Sequence, residues 1–203
     1  MTMRESLPVA LFDYGAGNLH SLKKALEAGG ASVQVTESWH EALEQKALVL
    51  PGVGSFGAAV RSLGGSRPLL RKRMAEGYPC LGICLGMQLL FDESEEGDGK
   101  GIGHVEGRVR RLDGRTVPQM GWNDVDLRGD PLFQGLDGLV AYYANSYICE
   151  PADPDTIIAT TEYEEERFAA AVRKANAWGV QFHPEKSSAP GLRLIRNFLE
   201  AAG

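Results

Sequence analysis

The first half of the chain alternates short β-branched and aliphatic runs with stretches whose apolar positions recur every three or four residues. PVALFDY predicts a strand, followed by a helix over NLHSLKKALEAGG with Asn18 as its N-cap and Gly29 just past its end. SVQVT predicts the next strand, SWHEALEQ a short helix and ALVL a third strand. Two helices follow over SFGAAVRSLGG and RPLLRKRMAEG, and PCLGICLGMQLLF reads as a strand running into a helix. Strands separated by helices imply right-handed parallel crossovers and a sheet covered on both faces.

From Gly103 the pattern changes to strand-like pieces joined by turns: HVEGRVRRL, LVAYYANSYIC, TIIATTEY, FAAAVRK and AWGVQFHPE. A final amphipathic helix is predicted over GLRLIRNFLEAA. The expected fold is therefore α/β, an open, mostly parallel or mixed central sheet with helices on both faces and antiparallel additions in the second half. DESEEGDGKG, residues 92–101, is the one low-complexity stretch and reads as an exposed loop. With 203 residues, 43% of them hydrophobic, and no linker, one domain over residues 1–203 is expected.

Charge narrows the function. A formal net charge of -6, with Arg108, Arg110 and Arg111 as the nearest approach to a basic cluster, argues against nucleic-acid binding. No apolar run approaches the roughly 20 residues that span a bilayer, and MTMRESLPVALFDYG lacks the apolar core of a signal peptide, so a cytoplasmic protein without a membrane partner is expected. Three cysteines, Cys80, Cys84 and Cys149, have no disulfide-framework spacing. Cys80 and Cys84 lack the further ligands of a tetrahedral metal site, so neither metal nor cofactor is expected.

Gly82-Ile83-Cys84-Leu85-Gly86 has the layout of a nucleophile elbow, G-x-S-x-G with Cys for Ser, where a strand ends and a helix begins. Glycines on either side would let strand and helix pass closely, although core packing by itself is expected to require neither. The helix N-terminus would favour the thiolate, the reactive form. A buried core thiol fits the elbow equally well, since free cysteine is among the most buried residue types and Cys80 on the same strand reads as core.

A thiol nucleophile needs a base, and the histidines are His20, His40, His104 and His183. His20 and His40 lie in polar helical patterns. His183 ends the strand-like run AWGVQF and is stopped by Pro184, which puts it at a sheet end. If the segment is extended, Glu185 lies on the same face and can hold the other imidazole nitrogen. Alone, HPE fits a strand-end histidine beside a surface carboxylate; with the elbow, it tips the reading toward a Cys-His-Glu triad. The oxyanion of an acyl-transfer intermediate needs two N–H donors. One is the amide of Leu85, and the other is sought in Pro51-Gly52-Val53-Gly54, which follows ALVL and fits an ordinary turn as well.

Together PGVG, GICLGMQ and FHPE, in that order and across essentially the whole chain, resemble the class I, or triad, glutamine amidotransferases, whose fold is flavodoxin-like. The resemblance implies a glutaminase in which Cys84 attacks the side-chain amide of L-glutamine, His183 protonates the departing ammonia, Glu185 positions His183, and water hydrolyses the γ-glutamyl thioester. It places Gln88, Glu96 and the backbone of Ser146 and Tyr147 on the substrate, with Leu85 and Gly52, Val53 or Gly54 as oxyanion donors. DYGAGN, VPQMGWNDV, YYANSY and Lys186-Ser187 are most similar to the glutaminase subunits of imidazole glycerol phosphate synthases. In that group the partner is a (β/α)8 barrel cyclase which takes the ammonia, and Asn18, Trp122, Asn123, Tyr142 and Lys186 match positions that face it. Asn145 and Gln119 depart from the pattern, which mostly has His at the first and often at the second. The competing readings are a glutaminase component of anthranilate or aminodeoxychorismate synthase, and a non-enzymic α/β domain with a reactive cysteine, which would have no need of His183 and Glu185.

Overall fold

Five parallel strands form the centre of the computed structural model, which describes residues 6–15 and 17–203. In chain order the strands are β1 (Leu7–Phe12), β2 (Ala31–Thr36), β3 (Ala47–Leu50), β4 (Cys80–Ile83), β5 (Glu93–Ser94), β6 (Gly107–Arg111), β7 (Gln119–Leu127), β8 (Leu139–Asn145), β9 (Tyr147–Pro151), β10 (Ile157–Tyr163), β11 (Glu166–Lys174) and β12 (Ala177–Val180). The helices are α1 (His20–Gly29), α2 (Trp39–Glu44), α3 (Phe56–Leu63), α4 (Arg67–Ala75), α5 (Leu85–Leu89) and α6 (Ser188–Ala202). A nine-stranded sheet runs β2-β1-β3-β4-β12-β11-β10-β7-β8, parallel from β2 to β12 and antiparallel beyond.

The central strands are buried on both faces, as a parallel sheet under crossover helices requires. One core packs α1 and α6, through Leu22, Leu26, Leu194 and Phe198, against β1, β4 and β12. The other packs α2 to α5, through Trp39, Phe56, Leu70 and Met87, on the opposite face. Ser38 and Ser55 cap α2 and α3 by accepting from the N–H groups of Glu41 and Ala58, each at 3.4 Å. The fold is thus the open mixed α/β sheet expected, and among the described residues no helix is long and apolar enough to cross a membrane.

Several local expectations need correcting. α1 starts at His20 rather than beside Asn18, whose Oδ1 accepts from the His20 N–H at 2.9 Å in a turn just ahead of the helix. Gly29 is the last helical residue, and Gly30, in the left-handed region at φ 107°, closes the helix. LVAYYANSYIC is two strands that part at Ser146, β8 joining the large sheet and β9 a second sheet of order β5-β6-β9. Within the acidic loop, Glu93–Ser94 pairs with β6 as an edge strand, so only part of that stretch is irregular. Ala16, inside DYGAGN, and the opening MTMRE lie outside the described residues.

Candidate active site

The three motifs meet because β3, β4 and β12 are neighbours and all end on the same side of the sheet. PGVG continues β3, Cys84 follows β4, and QFHPE follows β12. This is the carboxyl-end crevice in which open α/β sheets hold their ligands.

Cys84 is the turn residue between β4 and α5, with φ 47° and ψ −104°. A non-glycine residue there carries about 1–3 kcal/mol of backbone strain, which the surroundings must over-determine. They do so through the Cys84 N–H donating to the Val180 carbonyl at 2.7 Å and the Gln88 N–H donating to the Cys84 carbonyl at 3.1 Å. Packing requires both flanking glycines, contrary to the expectation from sequence. A Cβ on Gly82 would lie 2.5 Å from the Gly86 carbonyl oxygen, and one on Gly86 would collide with the Leu50 carbonyl. α5 spans five residues, and its first-turn amides, Leu85 among them, have no intrahelical acceptor.

His183 lies three residues beyond β12 and Glu185 reaches it by a different route from the extended one expected. Pro184 fixes φ and starts a single 3-10 turn over Pro184–Lys186, which folds Glu185 back onto the ring. His183 Nδ1 and Glu185 Oε1 are 2.9 Å apart, and both side chains are buried. The backbone is pinned from both sides: the His183 N–H donates to the Tyr142 carbonyl at 2.8 Å, and Ser187 Oγ donates to the His183 carbonyl at 2.6 Å. Burial opposes the charged imidazole, but hydrogen bonds to Cys84 and Glu185 outweigh it and hold the His183 pKa up to about 9. With Nδ1 engaged by Glu185, Nε2 remains to exchange a proton with sulfur.

Gly52 closes the third side. A Cβ there would lie 2.8 Å from His183 Cε1, 3.0 Å from Cys84 Cβ and 3.1 Å from the Ile83 carbonyl oxygen, so PGVG runs directly over the thiol and imidazole. A thiol with an imidazole–carboxylate pair beside it and the PGVG backbone overhead can carry out acyl transfer through a thioester. The remaining histidines stand apart: His20 and His40 are exposed, and buried His104 bonds the Lys174 carbonyl at 3.1 Å.

A profile of the class-I glutamine amidotransferases matches residues 10–202. The chain belongs to the class-I glutamine amidotransferase family. It is 46% identical, over 94% of its length and 97% of the relative's, to "imidazole glycerol phosphate synthase subunit HisH" of Pyrococcus furiosus. Proteins of the same description from Gloeothece citriformis and Synechocystis are 45% and 44% identical, covering 94% and 95% of this chain and 94% and 95% of their own. Among solved structures, a glutamine amidotransferase superposes with TM-score 0.76 at 23% identity, covering 96% of this chain and 99% of its own. PurLQS from Thermotoga maritima gives 0.75 at 16%, covering 98% and 100%. These two likenesses establish the fold.

Around Cys84, His183 and Glu185 of this amidotransferase, Gln88 is buried on α5 and its Nε2 donates to the Tyr147 carbonyl at 3.2 Å, so it is not a solvated helix residue. Asn145 Nδ2 donates to the same carbonyl at 3.2 Å, and the Ser146 carbonyl, at the break between β8 and β9, accepts from the Leu112 N–H at 2.9 Å. Glu96 is half-buried, which raises its pKa, while the Phe56 N–H at the start of α3 pulls the other way. Two polar contacts to the sulfur escaped the sequence reading: Gln181 Nε2 at 3.5 Å and the Ala144 carbonyl at 3.9 Å. A glutamine inside the apolar run AWGVQF was the available signal for the first; nothing in sequence marks a carbonyl.

Trp122 and Tyr142 face each other across β7 and β8, ring centroids 6.0 Å apart, and Lys186 Nζ lies 5.7 Å from the Tyr142 ring. Met120, Trp122 and Val140 leave 66%, 54% and 47% of their surface exposed, so this face of β7 and β8 presents a cluster of exposed apolar side chains. Asn123 is not part of it. Strand alternation turns it to the other face, where Nδ2 donates to Thr161 Oγ1 at 3.1 Å and the Glu162 carbonyl at 2.8 Å. Asn18 is exposed. Gln119 and Asn145 are cross-strand partners, both buried.

Proposed function

We propose that the chain is the glutaminase subunit of an imidazole glycerol phosphate synthase, a single amidotransferase domain over residues 1–203 that works in the cytoplasm. The observation that carries the chemistry is the convergence of PGVG, Cys84 and the His183–Glu185 pair at three adjacent strand ends. Cys84 Sγ attacks the side-chain carbonyl carbon of L-glutamine. The Leu85 amide and one from Gly52, Val53 or Gly54 take up the oxyanion, His183 delivers its proton to the leaving nitrogen, and Glu185 keeps the ring in place. Water, deprotonated by His183, then cleaves the thioester and returns the electron pair to sulfur. Gln88, Glu96, Ser146 and Tyr147 hold the amino-acid end of the substrate.

The ammonia passes to a (β/α)8 barrel cyclase that makes imidazole glycerol phosphate and an aminoimidazole carboxamide ribotide. Identity of 44–46% to HisH subunits over nearly the whole chain supports this choice within the class. Met120, Trp122 and Tyr142 supply an aromatic and apolar docking face of the residue types that protein interfaces favour, with Lys186 lying over the Tyr142 ring. The Tyr142 carbonyl holds the His183 N–H, so docking there acts on the base directly. The test is to mix the chain with a barrel cyclase and its ribonucleotide substrate. Glutamine hydrolysis should rise steeply above that of the isolated chain. Stimulation by a chorismate-using synthase instead would assign the chain to another amidotransferase.

A further inference from the structure

Gln181 is fully buried, two residues before His183. Its N–H donates to the Ala170 carbonyl at 2.9 Å, which fixes the backbone on β11. Its side-chain Nε2 lies at hydrogen-bonding distance, 3.5 Å, from Cys84 Sγ, while Oε1 is buried with no partner among the described residues. A buried amide with one end unmatched is worse for stability than an apolar side chain of the same volume. Packing therefore does not account for a glutamine here, and the sulfur does.

The groups facing Sγ have opposite preferences. The Ala144 carbonyl at 3.9 Å can only accept, so it favours the thiol, whereas an amide N–H favours the thiolate. His183 shares a hydrogen bond with Cys84 and has Glu185 behind it; the nearby Cys149 thiol on β9 is held neutral by burial. Gln88 is turned to the Tyr147 carbonyl instead.

We propose that Gln181 is a further catalytic residue, whose side-chain N–H donates to the Cys84 sulfur whenever that atom carries negative charge. Resting on Cys84 as the nucleophile, the role recurs twice in each turnover. Before attack it holds the thiolate. Once the S–C bond forms, sulfur is neutral and the hydrogen bond weakens. When water adds to the thioester and the S–C bond breaks, the electron pair returns to sulfur and the donor is already in place. Gln181 keeps its proton throughout.

The test is alkylation of the full chain by iodoacetamide, followed by mass spectrometry of the Cys84 peptide across pH values from about 5 to 10. Cys80 and Cys149 are buried and burial raises their thiol pKa values, so they stay silent. Gln181→Met keeps the volume and removes the donor. Its Cys84 alkylation near neutral pH should be about tenfold slower, with the pH profile displaced upward by about one unit. Gln181→Asn, which withdraws the amide by one methylene, should give the same displacement and serves where the methionine variant fails to fold. A folded variant whose profile is unchanged or displaced downward overturns the proposal, even if its turnover falls. Glutamine hydrolysis that survives Cys84→Ala is a separate result and overturns the nucleophile assignment instead.

Discussion

A methyl group added at Gly52 would crowd His183 and Cys84 at once. The Cβ of Gly52→Ala would lie 2.8 Å from His183 Cε1 and 3.0 Å from Cys84 Cβ. Non-bonded carbons settle at about 3.5–4.0 Å, so ring, turn or PGVG backbone must give way by roughly 0.5–1 Å. The turn is pinned at Val180, the His183 ring at Glu185 and the His183 backbone at Tyr142, so much of that shift falls on the attack geometry. A misplacement of about 1 Å costs on the order of 10² in rate, so kcat for glutamine hydrolysis should fall about 10- to 100-fold, or about 1.4–2.7 kcal/mol. Stability should move far less. The φ of Gly52 is outside the left-handed region, and alanine there narrows the unfolded ensemble by about 0.4–1 kcal/mol, which partly offsets about 1–3 kcal/mol of crowding. Glutamate formation measured with saturating cyclase and substrate, beside urea unfolding, separates the two effects. Turnover at the wild-type rate in Gly52→Ala would refute the placement of PGVG over the thiol and imidazole.

Gly86→Ala gains about 1 kcal/mol of helix propensity but drives its Cβ into the Leu50 carbonyl, so urea unfolding should show a net loss of about 1–3 kcal/mol. Because His183 is held up to about 9 against 6.5 for the free side chain, its proton stabilises the folded state fully below pH 6.5, and that contribution is lost as pH rises through about 9. The stability difference between wild type and His183→Gln, measured by urea unfolding, should therefore shrink across that window, and a difference that grows with pH contradicts the triad electrostatics. Trp122→Ala should weaken cyclase binding by about 2 kcal/mol, roughly 30-fold in Kd, in a titration followed by calorimetry.

The features legible in sequence were those that glycine and proline mark locally. Gly82 and Gly86 flagged the elbow, Gly52 and Gly54 the backbone over it, and Pro184 the end of the segment carrying His183. The parallel strand order was legible as class but not as adjacency. β4 and β12 pair across a separation that puts Gln181 and Cys84 97 residues apart, and no local pattern encodes such a contact. LVAYYANSYIC reads as one strand through Ser146 although two sheets divide it: burial alternates along β8 but not in β9, where the neighbours Ile148 and Cys149 are both buried, and no glycine or proline marks the break. Asn123 was grouped with Trp122 by resemblance, although a period of two sends neighbouring side chains to opposite faces. Glu185 came to the right partner by a different path: a proline-started turn and an extended segment can both bring residues two apart together.

The most direct measurement is ammonia release from L-glutamine by the Cys84→Ala variant in the presence of the barrel cyclase and its substrate, with the variant's folding checked by urea unfolding. A thioester mechanism centred on Cys84 predicts no glutamine-dependent ammonia from the folded variant, alongside a γ-glutamyl adduct on Cys84 in wild type caught by rapid acid quench and mass spectrometry. Ammonia released by folded Cys84→Ala at the wild-type rate would contradict it.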